Sequence, residues 1–313
     1  MKPTKAHIRD ACERVAPFAH RTPVITSSLL DEITGSRVFF KCENFQKMGA
    51  FKMRGAVNAI LQLSSEQQQA GVVTHSSGNF GQAVALAAKK IGVPAYIVMP
   101  ENAPSVKKSA VAAYNGIITE CASTLEAREK TSAKIMEETG ATFLHPSNQI
   151  EVIVGNATAT VELLDEQPDL EVIFTPVGGG GLIAGTVLAA QYYGKACQVV
   201  GGEPMEADDA YRSLQSGKIE TNETTNTIAD GLRTHLGDVN FPIIREGVSQ
   251  IIRVEEEEIV AALRLLWERL KIIVEPSCAV PFAALLKEKK RFQHKKIGII
   301  LSGGNIDVEN LPF

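Results

Sequence analysis

The stretch Glu171–Gly194, EVIFTPVGGGGLIAGTVLAAQYYG, decides the fold. From Val172 to Gly194 it carries no charged residue and is long enough to cross a bilayer as a helix. Its interior forbids that. Pro176 removes a backbone donor, and the glycine run Gly178–Gly181 loses too much backbone entropy in a helix. EVIFTPV therefore reads as a buried strand, the glycines as a turn and LIAGTVLAAQYYG as a buried helix. A wholly apolar strand followed at once by a helix is the unit of a parallel sheet covered by helices.

The same unit recurs on both sides. VFFKCE (38–43) precedes FKMRGAVNAILQL, GVVTHSS (71–77) precedes GQAVALAAKKIG, and AYIVMP (95–100) precedes SVKKSAVAAYNG, which Gly116 stops. GIITEC leads to TLEAREKTSAKIMEETG and then ATFLHP. Downstream come QVVGGEP, IIRV with EEEIVAALRLLWERL, and KKIGIILSGGN. The N-terminal segment reads as a helix from about Thr4, without the apolar core of a signal peptide. The expected fold class is α/β, with two open, twisted, mostly parallel sheets wrapped by helices. Residues 71–148 are expected to form a small domain inserted into a large one made of 1–70 and 149–313.

Composition narrows the function. Of 313 residues, 44% are hydrophobic and 22% charged, as in an ordinary globular protein. Lys plus Arg number 32 against 36 Asp plus Glu, a net charge of −4, so no positive field favours nucleic acid. No membrane span is expected. Five cysteines, Cys12, Cys42, Cys121, Cys197 and Cys278, lie far apart without a CxxC pair, which points away from zinc or a disulfide framework and towards the cytoplasm.

In open α/β sheets ligands bind beyond the carboxyl ends of strands, so chemistry is sought in the turns that follow them. The Gly178–Gly181 run at a helix start is an anion cradle of unhindered N–H groups. The same stretch also fits G-x-G-x-x-A through Gly179, Gly181 and Ala184. With Glu203 as a ribose-binding acid, a NAD-dependent oxidoreductase stays open at this point. SSGNFG (76–81) offers Ser76, Ser77 and Asn79 as donors to a carboxylate or ring oxygen, with Gly78 allowing close approach; it is equally a helix cap. Lys52, in GAFKMRGA (49–56), is a solvated lysine unless Phe51 and the neighbouring cation Arg54 lower its pKa, as Schiff-base chemistry requires. LSGGN (301–305) taken alone is an ordinary strand exit.

In order, FKMRGA, SSGNFGQA, VGGGGLIAG, GGEP and SGGN resemble the fold-type II pyridoxal-phosphate (PLP) enzymes, the tryptophan synthase β-like fold, and specifically their serine/threonine dehydratase and serine racemase group. HPSN (145–148), IADGLR (228–233), LWERLK (266–271) and VEPSCAV (274–280) extend the likeness over nearly the whole chain. The resemblance implies that Lys52 binds PLP as a Schiff base. Gly178, Gly179, Gly180, Gly181 and the Leu182 amide would hold the phosphate, Asn79 the ring oxygen, and Ser302 the pyridine nitrogen, with Phe51 against the ring. A neutral hydroxyl at that nitrogen leaves the ring unprotonated, which favours loss of a β-substituent over transamination. Ser76, Ser77, Gly78, Asn79, Arg128 and Thr234 are the implied substrate contacts. Lys52 would remove the Cα proton, and elimination would give a 2-oxo acid and ammonia.

Ser77 is the implied acid and base on the opposite face, giving racemisation. Pure dehydratases of the group tend to carry SAGN and racemase-like members SSGN, a serine shared with relatives acting on 3-hydroxyaspartate. GGEPMEADDAY (201–211) resembles the divalent-cation loop of racemase-like members, with Glu203, the Ala207 carbonyl and Asp209 as oxygen ligands for Mg²⁺, Ca²⁺ or Mn²⁺. Ser27, Ser28, Lys47, Gln82 and Tyr114 partly match an ATP effector site, although Met48 replaces a small polar residue. Phe80 stands where histidine is frequent, and GNAT (155–158) where GQGT is usual. A homodimer is implied. A β-replacement enzyme is disfavoured by SSGNFGQ and VEPSCAV, while a catalytically silent binding protein stays open. Because the motifs run from Phe51 to Asn305, no appended amino-acid-sensing domain, and hence no feedback of that kind, is expected.

Overall fold

The apolar strands pair into two sheets. The computed structural model describes residues 2–103, 105–309 and 311–313. The larger sheet contains β1 (Val24–Ile25), β2 (Arg37–Cys42), β7 (Val172–Pro176), β8 (Gln198–Pro204), β9 (Val248–Val254) and β10 (Lys296–Leu301). The smaller contains β3 (Val72–Thr74), β4 (Ala95–Pro100), β5 (Ile117–Cys121) and β6 (Thr142–Phe143). Their orders are β1-β2-β10-β7-β8-β9 and β5-β4-β3-β6, and among the described residues only the β1–β2 strand pair is antiparallel.

The Val172–Gly194 stretch divides as its glycines require. β7 is buried at every position, and the helix Gly181–Tyr193 is buried from Gly181 to Ala190. No helix among the described residues is long and apolar enough to cross a membrane. On one face of the larger sheet Phe40, Phe174 and Ile299 pack against the helices Glu256–Leu270 and Pro276–Lys287; Phe40 meets Phe282 edge-on at 5.7 Å. Each such fully buried side chain contributes about 1.5–3 kcal/mol of apolar transfer. The opposite face carries Ile183, Val187 and Leu188 against Ile153 and Ala157 of the helix Ile150–Glu166.

That last helix also supports Lys52–Ile60. Gly155 makes the approach possible, since a Cβ there would lie 2.6 Å from the Arg54 carbonyl and 2.7 Å from Asn58 Cβ. On its other side the Lys52–Ile60 helix buries Met53, Val57 and Ile60 in the cluster that holds Val72, Phe80, Val84 and Ile97. The helix beginning at Lys52 is thus wedged between the layers of the two sheets.

Candidate active site

Backbone pairing brings three of the motifs together. After β10 the chain lies antiparallel to Ala50, through the Ala50–Gly303 bridge. Phe51 N–H donates to the Ser302 carbonyl at 3.0 Å, and Gly304 N–H to the Gly49 carbonyl at 2.9 Å. The preceding turn needs left-handed backbone at Met48 (φ 57°) and Gly49 (φ 76°). Asn305 Nδ2 then donates to the Met48 carbonyl and to Asn79 Oδ1, both at 2.8 Å, joining the asparagine loop to the other two. The helix Asn79–Ile91 has Gly78 as its N-cap and no side-chain cap bond, so no serine or asparagine side chain of SSGN caps the helix. Ser76 Oγ accepts only a long 3.4 Å bond from Gly78 N–H, while the Ser77 hydroxyl makes no hydrogen bond among the described residues.

Lys52 is the first residue of its helix, and its Nζ donates to the Pro146 carbonyl at 2.8 Å. The amine lies 5.0 Å from the Phe51 ring centroid and 5.7 Å from that of Phe80, so the phenylalanine standing where histidine is frequent supplies an aromatic face. Burial pulls its pKa down to about 8, against the opposing charge of Glu275. The depression does not come from Arg54, contrary to expectation. Arg54 points into the core, where it bonds Glu43 and Glu162 at 2.7–2.8 Å, Thr158 Oγ1 at 3.2 Å and the His20 carbonyl at 3.1 Å. Lys41 adds a further 2.7 Å bond to Glu162.

Sequence reasoning gave Glu275 no role. It is 4% exposed, and both its oxygens accept from Asn79 Nδ2 at 3.0 Å. Burial pushes its carboxyl up to about 7, with the Asn79 bond opposing. A Glu before a Pro at a helix start is an unremarkable cap in sequence, so VEPSCAV carried no signal for this contact. Ser302, 3% exposed, closes this side at the end of β10.

The glycine loop follows β7. Gly180 is left-handed (φ 80°), and a Cβ there would come within 2.7 Å of Leu236 and 2.8 Å of Asn240 Oδ1. At Gly178 a Cβ would stand 2.8 Å from Leu232 Cα, and at Gly179 it would run into Ser147 and reach 3.0 Å from the Thr234 hydroxyl. Side chains are therefore excluded from this turn, and the N–H groups that open the 13-residue helix, Leu182 among them, are available to an anion. The residues fit a phosphorylated aldehyde cofactor: an amine of lowered pKa for the aldehyde and a glycine cradle for the phosphate. Asn240, also missed, braces the loop by donating to the Gly179 carbonyl at 2.8 Å and the Ser147 carbonyl at 3.1 Å. Arg128 lies on the helix Leu125–Thr139, its Nε bonded at 3.4 Å to the Thr124 carbonyl, and its charge acts on His75.

Glu203, next to last in β8, is fully buried, and its oxygens accept from the N–H groups of Ala210 (3.0 Å) and Tyr211 (2.8 Å). Its burial keeps it away from a ribose, which removes the residue the dinucleotide reading needs. Asp209, also fully buried, accepts from Asn222 Nδ2 (2.9 Å) and Leu236 N–H (3.0 Å). Burial raises both carboxyls, and Asp209 raises Glu203 further. At the other candidate site, Ser27 caps the helix Ser28–Thr34, Gln82 is buried and Tyr114 partly so. Lys47 is held below the usual lysine range by burial and the Lys90 charge, while Met48 is buried as packing.

A family model described as "Pyridoxal-phosphate dependent enzyme" matches residues 15–303. The chain is 47% identical to a serine racemase of Dictyostelium discoideum, over 98% of this chain and 96% of that one. It is 44% identical to the beta-hydroxyaspartate dehydratase of Paracoccus denitrificans, over 99% of both. The structure of maize serine racemase superposes with a TM-score of 0.95 at 47% identity, covering 97% of this chain and 94% of that one. The match over most of the chain and the shared fold show the family, and this chain belongs to it: it is a pyridoxal-phosphate-dependent enzyme of fold-type II.

Proposed function

We propose that this enzyme catalyses α,β-elimination and racemisation of small β-hydroxy amino acids, converting L-serine or L-threonine to a 2-oxo acid and ammonia and interconverting L- and D-serine. The observation that carries this reading is the Lys52 amine, held at a pKa of about 8 beside a loop whose Ser77 hydroxyl is uncommitted. When bound, the cofactor supplies the electron sink for a Cα carbanion. Gly178–Gly181 and the Leu182 amide hold its phosphate, Asn79 and Ser302 fix the ring, and Phe51 packs against it. Ser76, Gly78 and Asn79 bind the substrate carboxylate, with Arg128 and Thr234 bounding the substrate. Lys52 takes the Cα proton on one face, and Ser77 exchanges a proton on the other. In this reading residues 71–148 are the small domain and 1–70 with 149–313 the large one, in keeping with a four-stranded sheet drawn wholly from residues 72–143.

A second substrate reading is 3-hydroxyaspartate, favoured by the 44% identity to the beta-hydroxyaspartate dehydratase. We propose further that Glu203, Asp209 and the Ala207 carbonyl hold Mg²⁺, Ca²⁺ or Mn²⁺, because two buried carboxylates of raised pKa gain from a cation that takes the proton's place. ATP is the proposed effector at Ser27, Ser28, Lys47, Gln82 and Tyr114, where the adjacent charges of Lys47 and Lys90 suit a polyanion. A homodimer follows from the resemblance, and a cytoplasmic location from the five scattered cysteines.

The deciding experiment offers L-serine, D-serine, L-threonine and the 3-hydroxyaspartates to parent enzyme and Ser77→Ala, scoring 2-oxo acid and enantiomer. The expected outcome is retained elimination with lost racemisation in the variant. Parent-rate interconversion of serine enantiomers by Ser77→Ala would sink the role of Ser77, and absence of 2-oxo acid from every substrate would sink the elimination reading.

A further inference from the structure

HPSN (145–148) joins the last strand of the smaller sheet to the helix Ile150–Glu166, and its backbone is organised by one side chain. His145 Nδ1 accepts from the N–H groups of both Ser147 (3.1 Å) and Asn148 (2.7 Å). Pro146, between His145 and Ser147, has no backbone donor of its own. Gln149 Oε1 accepts from His145 N–H at 3.0 Å, so the turn is closed at its entrance as well.

Each residue of this turn then reaches a different part of the site. The Pro146 carbonyl receives Lys52 Nζ at 2.8 Å. The Ser147 carbonyl receives Asn240 Nδ2, which also bonds the Gly179 carbonyl, and Ser147 Cα lies 2.8 Å from where a Cβ on Gly181 would stand. Asn148 donates to Asp238 Oδ1 and accepts from Val239 N–H, both at 2.8 Å. Lysine, glycine loop and the 237–240 segment are therefore all referenced to one four-residue turn.

We propose that His145 is a positioning residue: its unprotonated Nδ1 fixes the turn whose Pro146 carbonyl holds the free Lys52 amine in line for proton transfer. This rests on the reading of Lys52 as the cofactor-bearing, proton-transferring lysine. The groups facing the ring are consistent with an unprotonated Nδ1. Burial, with His75 and Lys52 alongside, pulls its pKa down to about 4, and only Asp238 opposes. Neighbouring rings are Phe143, edge-on at 6.3 Å, and beyond it His75.

The test compares His145→Asn, whose Oδ1 falls near the Nδ1 position and accepts, with His145→Leu, which fills the space and accepts nothing. Holoenzyme gives kcat and KM for L-serine. Cofactor-stripped protein gives the pH midpoint of Lys52 acetylation by acetic anhydride, read by mass spectrometry against surface lysines. The expected result is that His145→Leu lowers kcat about ten- to a hundred-fold with KM nearly unchanged, while His145→Asn stays within about three-fold of the parent. In His145→Leu the Lys52 midpoint drops below its parental value of about 8, because an acceptor for the ammonium form is lost.

Equal losses in the two variants, or parental kcat and Lys52 midpoint in both, would overturn the proposal. If His145→Leu fails to unfold cooperatively, His145→Gln, whose oxygen lies one methylene too far, takes its place in the same comparison. Failure of the reading of Lys52 is seen separately: borohydride reduction of the parent would then leave no cofactor on Lys52, while the acetylation midpoints would still report on the turn.

Discussion

Replacing Arg54 by Met keeps the aliphatic stem and removes a guanidinium that is fully buried with Glu43, also fully buried, and Glu162, 17% exposed. Bonds of 2.7–2.8 Å to both carboxylates disappear, leaving Lys41 as the remaining cation of the cluster, at 2.7 Å from Glu162. Breaking a buried pair by deleting one partner costs about 3–5 kcal/mol, because the other charge is left without compensation. The loss has a characteristic pH dependence. In the parent, burial pushes the Glu43 carboxyl up, but the charge and bonds of Arg54 outweigh it and hold the pKa below the usual range. A depressed native pKa contributes stability that is complete above the unfolded value of about 4.3 and is lost as pH falls through the native value. In Arg54→Met burial dominates instead and raises the Glu43 pKa, so folding takes up a proton. The deficit of the variant should therefore shrink as pH falls from neutrality to about 5. Reversible urea unfolding at both pH values measures it, and Arg54→Met with Glu43→Gln should recover part of the loss. A deficit under about 1 kcal/mol, the range of an exposed pair, or one independent of pH, would refute the reasoning.

Other outcomes follow from the same geometry. Capture of PLP by cofactor-stripped enzyme, followed by absorbance, should accelerate with rising pH through about 8, where burial places the Lys52 amine, and plateau above it. A rate still climbing towards the pKa of a free lysine, about 10.4, would contradict the buried amine. Mg²⁺ at a hundred-fold excess over its dissociation constant should stabilise the parent by about 2.7 kcal/mol, read as a higher unfolding temperature. Glu203→Gln or Asp209→Asn should abolish that increment; an equal increment in both variants, or none in the parent, would rule out the oxygen cluster as the cation site.

The alternation of strands and helices was legible because it depends on local pattern: β7, its glycine turn and the following helix read directly from 171–194. The site was legible only where a residue type is itself unusual, as in four consecutive glycines or a lysine at an apolar helix start. What escaped was the tertiary partner of each motif. Glu275 reaches Asn79 across 196 positions and Asn240 reaches Gly179 across 61, and both are ordinary polar residues until the two sheets are assembled. The error over Arg54 has a local cause. Residues two apart on a helix do not face each other, so a cation at 54 turns into the core while Lys52 turns to the Pro146 carbonyl. His145, visible within HPSN, acts through backbone N–H groups that no side-chain pattern reveals.

Glu275 gives the asparagine loop a polarity that the motif alone lacks. An amide side chain can present either its oxygen or its nitrogen, and a phenolic ring oxygen needs a donor. Here both ends of the Asn79 amide are assigned by their partners: Oδ1 accepts from Asn305 Nδ2 at 2.8 Å, and Nδ2 faces the Glu275 oxygens at 3.0 Å. The nitrogen has a second hydrogen, so the group left for the ring oxygen is the donor its proposed role requires. Burial then acts on both charges of this corner in opposite directions, lowering Lys52 to about 8 and raising Glu275 to about 7. A carboxyl so placed balances the lysine's charge without the full cost of a fixed buried anion, and protonation of Glu275 leaves its second oxygen able to accept from Asn79. The orientation of Asn79 therefore survives titration of the acid that sets it.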